Sequence, residues 1–287
     1  MKQKIFLILL LTVILIFAKY NTVSAIVSAQ QMEILKHEIS LLKSLISNYN
    51  LRQSIGALSY VAVDLSDNSV LLKKNADKTY PIASITKLMN AIVASENIKI
   101  DQTITLTKKM LEPLGQSPAL FEGLEISAGD LLNASLIQST NDAAQALSYF
   151  IGNEKFLEIM NQKAKKLDMK DTAYYDVHGL NYKNKSTALD LAKLVSYIYQ
   201  QHPEILNITK NNSFWLANSN GTLLKFQNVN NFYYLNDFIG GKTGYLPEAK
   251  QTFASVFNVN GKPIAITLLS SKNRMADIFN ILRQLKN

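Results

Sequence analysis

Three short strings put a nucleophile and two amines into one chain, in the order Ser84-Ile85-Thr86-Lys87, Ser139-Thr140-Asn141 and Lys242-Thr243-Gly244. A serine hydroxyl is a poor nucleophile until a base takes its proton. With Pro81 opening a helix, Ser84 sits in the first turn and Lys87 one turn on, on the same face, so Lys87 is the base within reach. A lysine with an ordinary pKa of ~10.4 stays charged at neutral pH. Desolvation in a cleft and a second cation, Lys242, would push Lys87 toward its neutral form. Ser139 and Asn141 offer a hydroxyl and an amide that could relay a proton to a leaving amine and hold a substrate amide. Lys242 and the Thr243 hydroxyl suit a terminal carboxylate. Gly240 and Gly241 just before them would let an extended peptide lie beside a strand edge.

Each string alone is common. Ser40-Leu41-Leu42-Lys43 repeats the first spacing, and Ser66-Asp67-Asn68 and Ser271-Lys272-Asn273 repeat the second. The copy at Ser139 lies between Ser84 and the sole Lys-Thr-Gly, so order and context carry the weight. Thr140 and Asp142, which that chemistry does not need, read as helix N-caps.

The elements that must position these groups follow from periodicity. Leu58–Asp64 and Val70–Lys73 flank a Ser-Asp-Asn-Ser turn and read as a β-hairpin. Helical periods cover 84–96, 128–151, 154–167 and 187–201. Strands return at Ser213–Ala217 and Thr222–Phe226. Thr252–Phe257 and Pro263–Leu269 bracket Asn260-Gly261, a strong hairpin signal, and a final helix covers 274–285. Strands at both ends with helices between predict an α+β fold: an antiparallel sheet built from both ends of the domain, flanking helices, and an inserted helical lobe with a cleft where the two meet.

The domain spans 51–287. Before it, Met32, Leu35, Ile39, Leu42, Ile46 and Tyr49 give residues 30–50 heptad spacing, short for a self-sufficient coiled coil. Residues 1–29 read as a signal peptide or N-terminal membrane anchor. Lys2 and Lys4 precede a 14-residue apolar run that ends at Lys19, and Val-Ser-Ala occurs twice just beyond it. Both versions put the domain outside the cytoplasmic membrane, in contact with that membrane if the segment is uncleaved. The formal charge is +8, and it falls to +5 once the three lysines of residues 1–29 are set aside. With 47% hydrophobic residues the chain is globular rather than disordered. No cysteine and only three histidines, none in HExxH, leave thiolate catalysis out and predict no metal and no cofactor.

With these motifs the chain resembles the penicillin-binding D-alanyl-D-alanine carboxypeptidases, serine peptidases of the β-lactamase-like transpeptidase fold. The likeness runs over roughly residues 55–287. Its text includes Ala83–Met89, Gln138–Ala144, His178-Gly179-Leu180, Ser186–Ala192 and Gly240–Tyr245. The resemblance implies that Ser84 attacks the carbonyl between two D-alanines of a peptidoglycan stem peptide, the terminal D-alanine leaves, and water hydrolyses the acyl-enzyme. It implies that the backbone N–H groups of Ser84 and Tyr245 form an oxyanion hole, that Arg274 supports carboxylate binding, and that β-lactams acylate Ser84 as covalent inhibitors. His178 is read as shaping a loop below the cleft. The mildly cationic cleft fits a substrate ending in carboxylate and calls for no nucleic acid.

Three alternatives stand beside this one. A D,D-endopeptidase of cross-links differs only in whether the cleft admits an acceptor stem. A class A β-lactamase needs a deacylating glutamate, and the nearest string, Glu204-Ile205-Leu206-Asn207, has the wrong spacing and place. A non-catalytic envelope-binding module has no need of all the motif residues. The sequence also departs from the family where Pro247–Thr252 replaces a small-residue segment containing Ala-Gly, and where Thr140 takes the place of a smaller residue.

Overall fold

The computed structural model describes residues 33–43, 54–113, 115, 117, 119–217 and 221–286. Residues 33–43 are helical, within the heptad-patterned segment. The apolar run, both Val-Ser-Ala sites and the remainder of 30–50 lie outside the described residues. From Ser54 the chain is one compact unit. Among the described residues no helix is long and apolar enough to cross a membrane.

The domain begins with an antiparallel hairpin, β1 (Ser59–Asp64) and β2 (Val70–Lys74), whose turn places Asn68 at a left-handed φ of 60°. After a two-residue strand β3 (Tyr80–Pro81), a single 3-10 turn at Ala83–Ile85 leads into α1 (Thr86–Asn97). The strands β4 (Thr103–Thr105) and β5 (Glu125–Ser127) pair with each other and lead to α2 (Ala128–Ile137), α3 (Asn141–Tyr149) and α4 (Asn153–Lys166). Then β6 (Lys185–Ser186) pairs with β3, and α5 (Ala188–Gln201) and α6 (Pro203–Lys210) complete the helical lobe. The hairpin β7 (Ser213–Ala217) and β8 (Leu223–Gln227) precedes the long strands β9 (Phe238–Leu246), β10 (Lys250–Val259) and β11 (Lys262–Ser271), which α7 (Arg274–Lys286) follows.

The main sheet has the order β2-β1-β11-β10-β9, antiparallel throughout. The first and last strands of the domain therefore lie side by side at its centre, as the strands-at-both-ends pattern predicts. β10 and β11 join through Asn260 (φ 54°) and Gly261 (φ 82°), two left-handed residues that match the right-handed twist of the strands. Both faces of the sheet are covered, so these strands read as continuous apolar runs rather than alternating ones. On one side Val61, Ala254, Ala265 and Leu269 pack against the helical lobe; on the other Phe253, Phe257, Ile266 and Leu268 pack against Ile278 and Ile281 of α7.

Two sequence expectations change. Pro81 does not open the helix: it belongs to β3, and the left-handed backbone of Ala83 (φ 51°) forces a separate 3-10 turn before the α-helix starts. The stretch 128–151 is two helices, because Ser139 adopts φ 64° and the chain turns there. Apolar periodicity runs through the break, so it shows no interruption. The ends are set by capping as usual: Ser127 Oγ accepts the N–H of Asp130 at 3.1 Å, and Thr187 Oγ1 that of Asp190 at 3.0 Å.

Candidate active site

Ser84 stands in the middle of the 3-10 turn, at the junction of the sheet and the helical lobe. Left-handed φ at a non-glycine residue costs on the order of 1–3 kcal/mol and persists only where the surroundings impose it. The surroundings here are specific. Thr86 Oγ1 donates to Ala83 O at 2.8 Å, Thr252 Oγ1 of β10 donates to Ile82 O at 3.0 Å, and Asn184 Nδ2 donates to Thr86 Oγ1 at 3.0 Å. Two glycines allow the close approach. A Cβ on Gly179 (φ 96°) would stand 2.5 Å from Ala83 C, and one on Gly244 would stand 3.0 Å from Ser84 N.

Lys87 follows one turn on and is fully buried. Its Nζ lies 2.7 Å from Asn141 Oδ1, 2.6 Å from the carbonyl oxygen of His178 and 3.1 Å from Ser84 Oγ. Burial pushes its pKa down to about 7, against the opposing pull of Asp176 and Asp142. Lys242 is a cause of the shift in the sequence reading; in the structure desolvation dominates. A neutral amine has two N–H donors and one lone pair. Asn141 and His178 take both donors, which leaves the lone pair facing the Ser84 hydroxyl.

Ser139, in the break between α2 and α3, accepts from Lys242 Nζ at 2.8 Å, and the same amine donates to Thr243 O at 2.9 Å. Lys242 is buried, and burial first, then the positive charges of Lys87 and Arg274, holds its pKa well below the usual lysine value. The Lys-Thr-Gly string lies on β9, the edge strand of the main sheet. Arg274, at the start of α7, donates through Nη1 to Gly244 O at 2.8 Å and Thr252 O at 3.3 Å.

These groups surround a cleft of about 250 Å³ lined by Ser84, Ser139, Val229, Thr243, Gly244, Tyr245 and Arg274. Lys87, Asn141 and Lys242 stand behind that lining. Thr243 and Arg274 line the cleft directly, while Lys242 reaches it through Ser139. All nine sequence-predicted site residues thus gather at one place: six line the cleft and three back it. Thr140 occupies the N-cap position of α3 without a side-chain cap bond, and its hydroxyl is buried with no partner. Asp142 accepts from Ser117 N at 2.8 Å and Ala143 N at 2.9 Å, and burial raises its pKa. His178 is held neutral, its pKa pushed down to about 4 by burial, so it serves the site through its carbonyl rather than its ring. Glu204 lies on α6 against His202 at 3.0 Å, away from the cleft lining.

Sequence reasoning missed the amides that brace this arrangement. Asn90 Nδ2 donates to Ala144 O and Val177 O, both at 3.0 Å, tying α3 and the His178 loop to α1. Ser84, Lys87 and Asn90 recur every three residues, and a polar residue inside Leu88–Val93 was the available signal. Asn230 Nδ2 donates to Gly241 O at 3.1 Å, and Thr209 Oγ1 accepts from Gly241 N at 2.9 Å, anchoring β9 from the lobe side.

Known proteins resemble this chain over most of its length. The profile described as D-alanyl-D-alanine carboxypeptidase matches residues 46–273. A D-alanyl-D-alanine endopeptidase of Escherichia coli (strain K12) is 32% identical over 231 residues, covering 76% of this chain and 72% of its own. The crystal structure of a D-alanyl-D-alanine carboxypeptidase from Mycobacterium tuberculosis H37Rv superposes with a TM-score of 0.76 at 24% identity, covering 81% of this chain and 91% of that one. Penicillin-binding protein D2 of Listeria monocytogenes, solved in its cefotaxime-bound form, gives a TM-score of 0.71 at 26% identity, covering 81% and 98%.

Proposed function

The chain belongs to the D-alanyl-D-alanine carboxypeptidase family of serine peptidases, and from that premise we propose that it trims peptidoglycan stem peptides through an acyl-enzyme on Ser84. The observation that carries this reading is the buried Lys87 amine, with both N–H donors engaged and its lone pair toward Ser84 Oγ at 3.1 Å.

The steps follow from the groups present. Lys87 takes the Ser84 proton as Oγ attacks the carbonyl of the penultimate D-alanine. The negative charge that forms on the carbonyl oxygen meets the backbone N–H groups of Ser84 and Tyr245. The C–N bond then breaks, the proton that Lys87 took passes by way of Ser139 to the leaving amine, D-alanine departs, and Lys87 is neutral again. Water, activated by the same base, hydrolyses the ester and restores Ser84. Thr243 and Arg274 hold the substrate's terminal carboxylate, Asn141 a backbone amide of the stem, and Gly244 allows that stem to lie against β9. β-Lactams are covalent inhibitors by the same attack. Among the described residues the cleft lining holds no glutamate, which supports a persistent adduct over rapid β-lactam hydrolysis.

A second reading, cleavage of D,D-cross-links, is favoured by the Escherichia coli relative, which is named an endopeptidase. The N-terminal segment 1–29, as an export signal or anchor, would deliver the domain of residues 51–287 to the outer face of the cytoplasmic membrane, where this substrate is. Labelling of the purified domain with fluorescent penicillin, wild type beside Ser84→Ala, tests the common mechanism. Covalent label on the wild type and none on the variant is expected; an unlabelled wild type would overturn it. D-Alanine release from a pentapeptide, set against cleavage of a cross-linked dimer, separates the two activities.

A further inference from the structure

Among the groups near Lys87, the carboxylates of Asp142 and Asp176 have no part in the steps above, and Asp176 is the one on the loop whose carbonyl meets the amine. Asp176 lies on the loop between α4 and β6, two residues before His178, with a side chain only 15% exposed. Its Oδ1 accepts from His178 N at 3.1 Å, Gly179 N at 2.6 Å and Asn184 Nδ2 at 2.8 Å. Its Oδ2 accepts from Asn181 N at 2.5 Å and lies 3.3 Å from His178 Nδ1. An aspartate at a turn usually caps one or two backbone groups. Here three backbone N–H groups and an amide converge on one carboxylate, closing the loop 176–184 around it. The carbonyl presented by that closed loop is the one 2.6 Å from Lys87 Nζ.

We propose that Asp176 is a positioning residue for the Ser84–Lys87 pair: it fixes the His178 carbonyl against Lys87 Nζ and supplies the fixed negative charge under which that amine accepts the Ser84 proton. The inference rests on the reading of Ser84 and Lys87 as the reacting pair. Among the described residues the charged and titratable groups around Lys87 are few. Asp176 and His178 face it from the loop, Asp142 from α3 and Lys242 from β9, with Arg274 next to Lys242. His178 is neutral above about pH 4, and the two carboxylates that act on Lys87 are Asp176 and Asp142. A carboxylate that only held the loop would affect how much active enzyme folds. One that also acts on Lys87 moves the pH at which the amine becomes a base.

The test is the second-order rate of Ser84 acylation by fluorescent penicillin between pH 5 and 9, for wild type, Asp176→Asn and Asp176→Glu. The wild type should show an acid limb with its midpoint near 7. Asp176→Asn removes the charge and keeps an acceptor oxygen, so its midpoint should fall by about one pH unit with a lower plateau. Asp176→Glu keeps the charge and shifts it by one methylene, so its midpoint should stay near the wild type's while the plateau drops. The glutamate variant also carries the test if the asparagine variant fails to fold: a midpoint lowered by a full unit in Asp176→Glu would overturn the proposal. A labelled wild type with the Asp176→Asn midpoint unchanged would overturn the proposal alone. A wild type unlabelled at every pH would overturn the Ser84–Lys87 reading, and this inference with it.

Discussion

Replacing Gly179 with alanine perturbs the site without touching any group that reacts. A methyl there would stand 2.5 Å from Ala83 C, closer still to Ala83 O, and 3.0 Å from Ser84 N, where ordinary contact begins at 3.4 Å. All three neighbours are backbone atoms, so no rotamer change relieves the contact. The loop or the nucleophile turn must retreat by at least about 0.9 Å, the gap between 2.5 and 3.4 Å at Ala83 C, and by more to clear Ala83 O. A displacement of ~1 Å at a reacting centre costs about 100-fold in rate. Alanine at φ 96° adds about 1–2 kcal/mol of backbone strain. Gly261→Ala is the control: it has a similar φ of 82° but nothing within 4 Å, so it carries the strain without the collision. Melting temperature and the rate of penicillin acylation should be measured for both. Gly261→Ala should lose about 2–4 °C for ~1 kcal/mol at this chain length and acylate normally. Gly179→Ala should melt lower still and acylate about 100-fold more slowly. Wild-type acylation in Gly179→Ala, with a melting point no lower than the control, would refute the claim that this glycine exists to let the loop meet the nucleophile.

Acylation of the wild type should rise with pH through about 7 and level off above it, since Lys87 acts in its neutral form; below the midpoint the rate should fall tenfold per pH unit, checked by timed labelling. Arg274→Gln should raise the KM for a D-Ala-D-Ala peptide about 10- to 100-fold, the loss of one hydrogen bond to a charged group, with a smaller change in kcat. Ser139→Ala should slow acylation by on the order of 100-fold or more while Ser84 still takes label, because Lys242 loses its link to the cleft. On the lobe surface, Glu96 accepts from Lys163 at 2.6 Å and Tyr197 at 2.7 Å. Burial pushes its carboxyl up, but Lys163, Tyr197 and His202 outweigh that and hold it below its ordinary 4.5. Its folded-state pKa is the lower one, so its contribution of about 1 kcal/mol or less is present above pH ~4.5 and is lost below it. Thermal melts from pH 6 to 3 should fall more steeply for wild type than for Glu96→Gln.

Much of this architecture is legible in the residue pattern, and what is not has physical reasons. Asn260-Gly261 announces its hairpin because few residue pairs tolerate two successive left-handed positions. The burial of the long strands is visible in the unbroken apolar runs around Phe253 and Ile266. The nucleophile turn is not visible, because alanine has no tendency toward the backbone that Ala83 is held in by tertiary contacts from Thr252, Thr86 and the His178 loop. The break at Ser139 is hidden for the same reason. At the site, the motif spacing identifies the reacting side chains. Their depressed lysine pKa values and the supports at Asn90, Asp176, Asn184 and Asn230 depend on burial and on pairings between residues far apart in sequence. Asparagine and aspartate in loops look like ordinary turn formers until the loop is seen to touch Lys87.

The pairing of β1 with β11 has a consequence for when activity can begin. The Ser84–Lys87 half of the site precedes the Lys242 half in synthesis, and the sheet that holds Thr252 against Ile82 closes only when β10 and β11 arrive. Contacts between distant parts of a chain form late in folding. A partly emerged chain thus carries a serine and a lysine on an incomplete turn, with no strand β9 to bind against and no Arg274. Until β9, β10 and β11 are in place, the nucleophile turn lacks its brace from Thr252 and the cleft lacks the wall formed by Thr243 and Gly244.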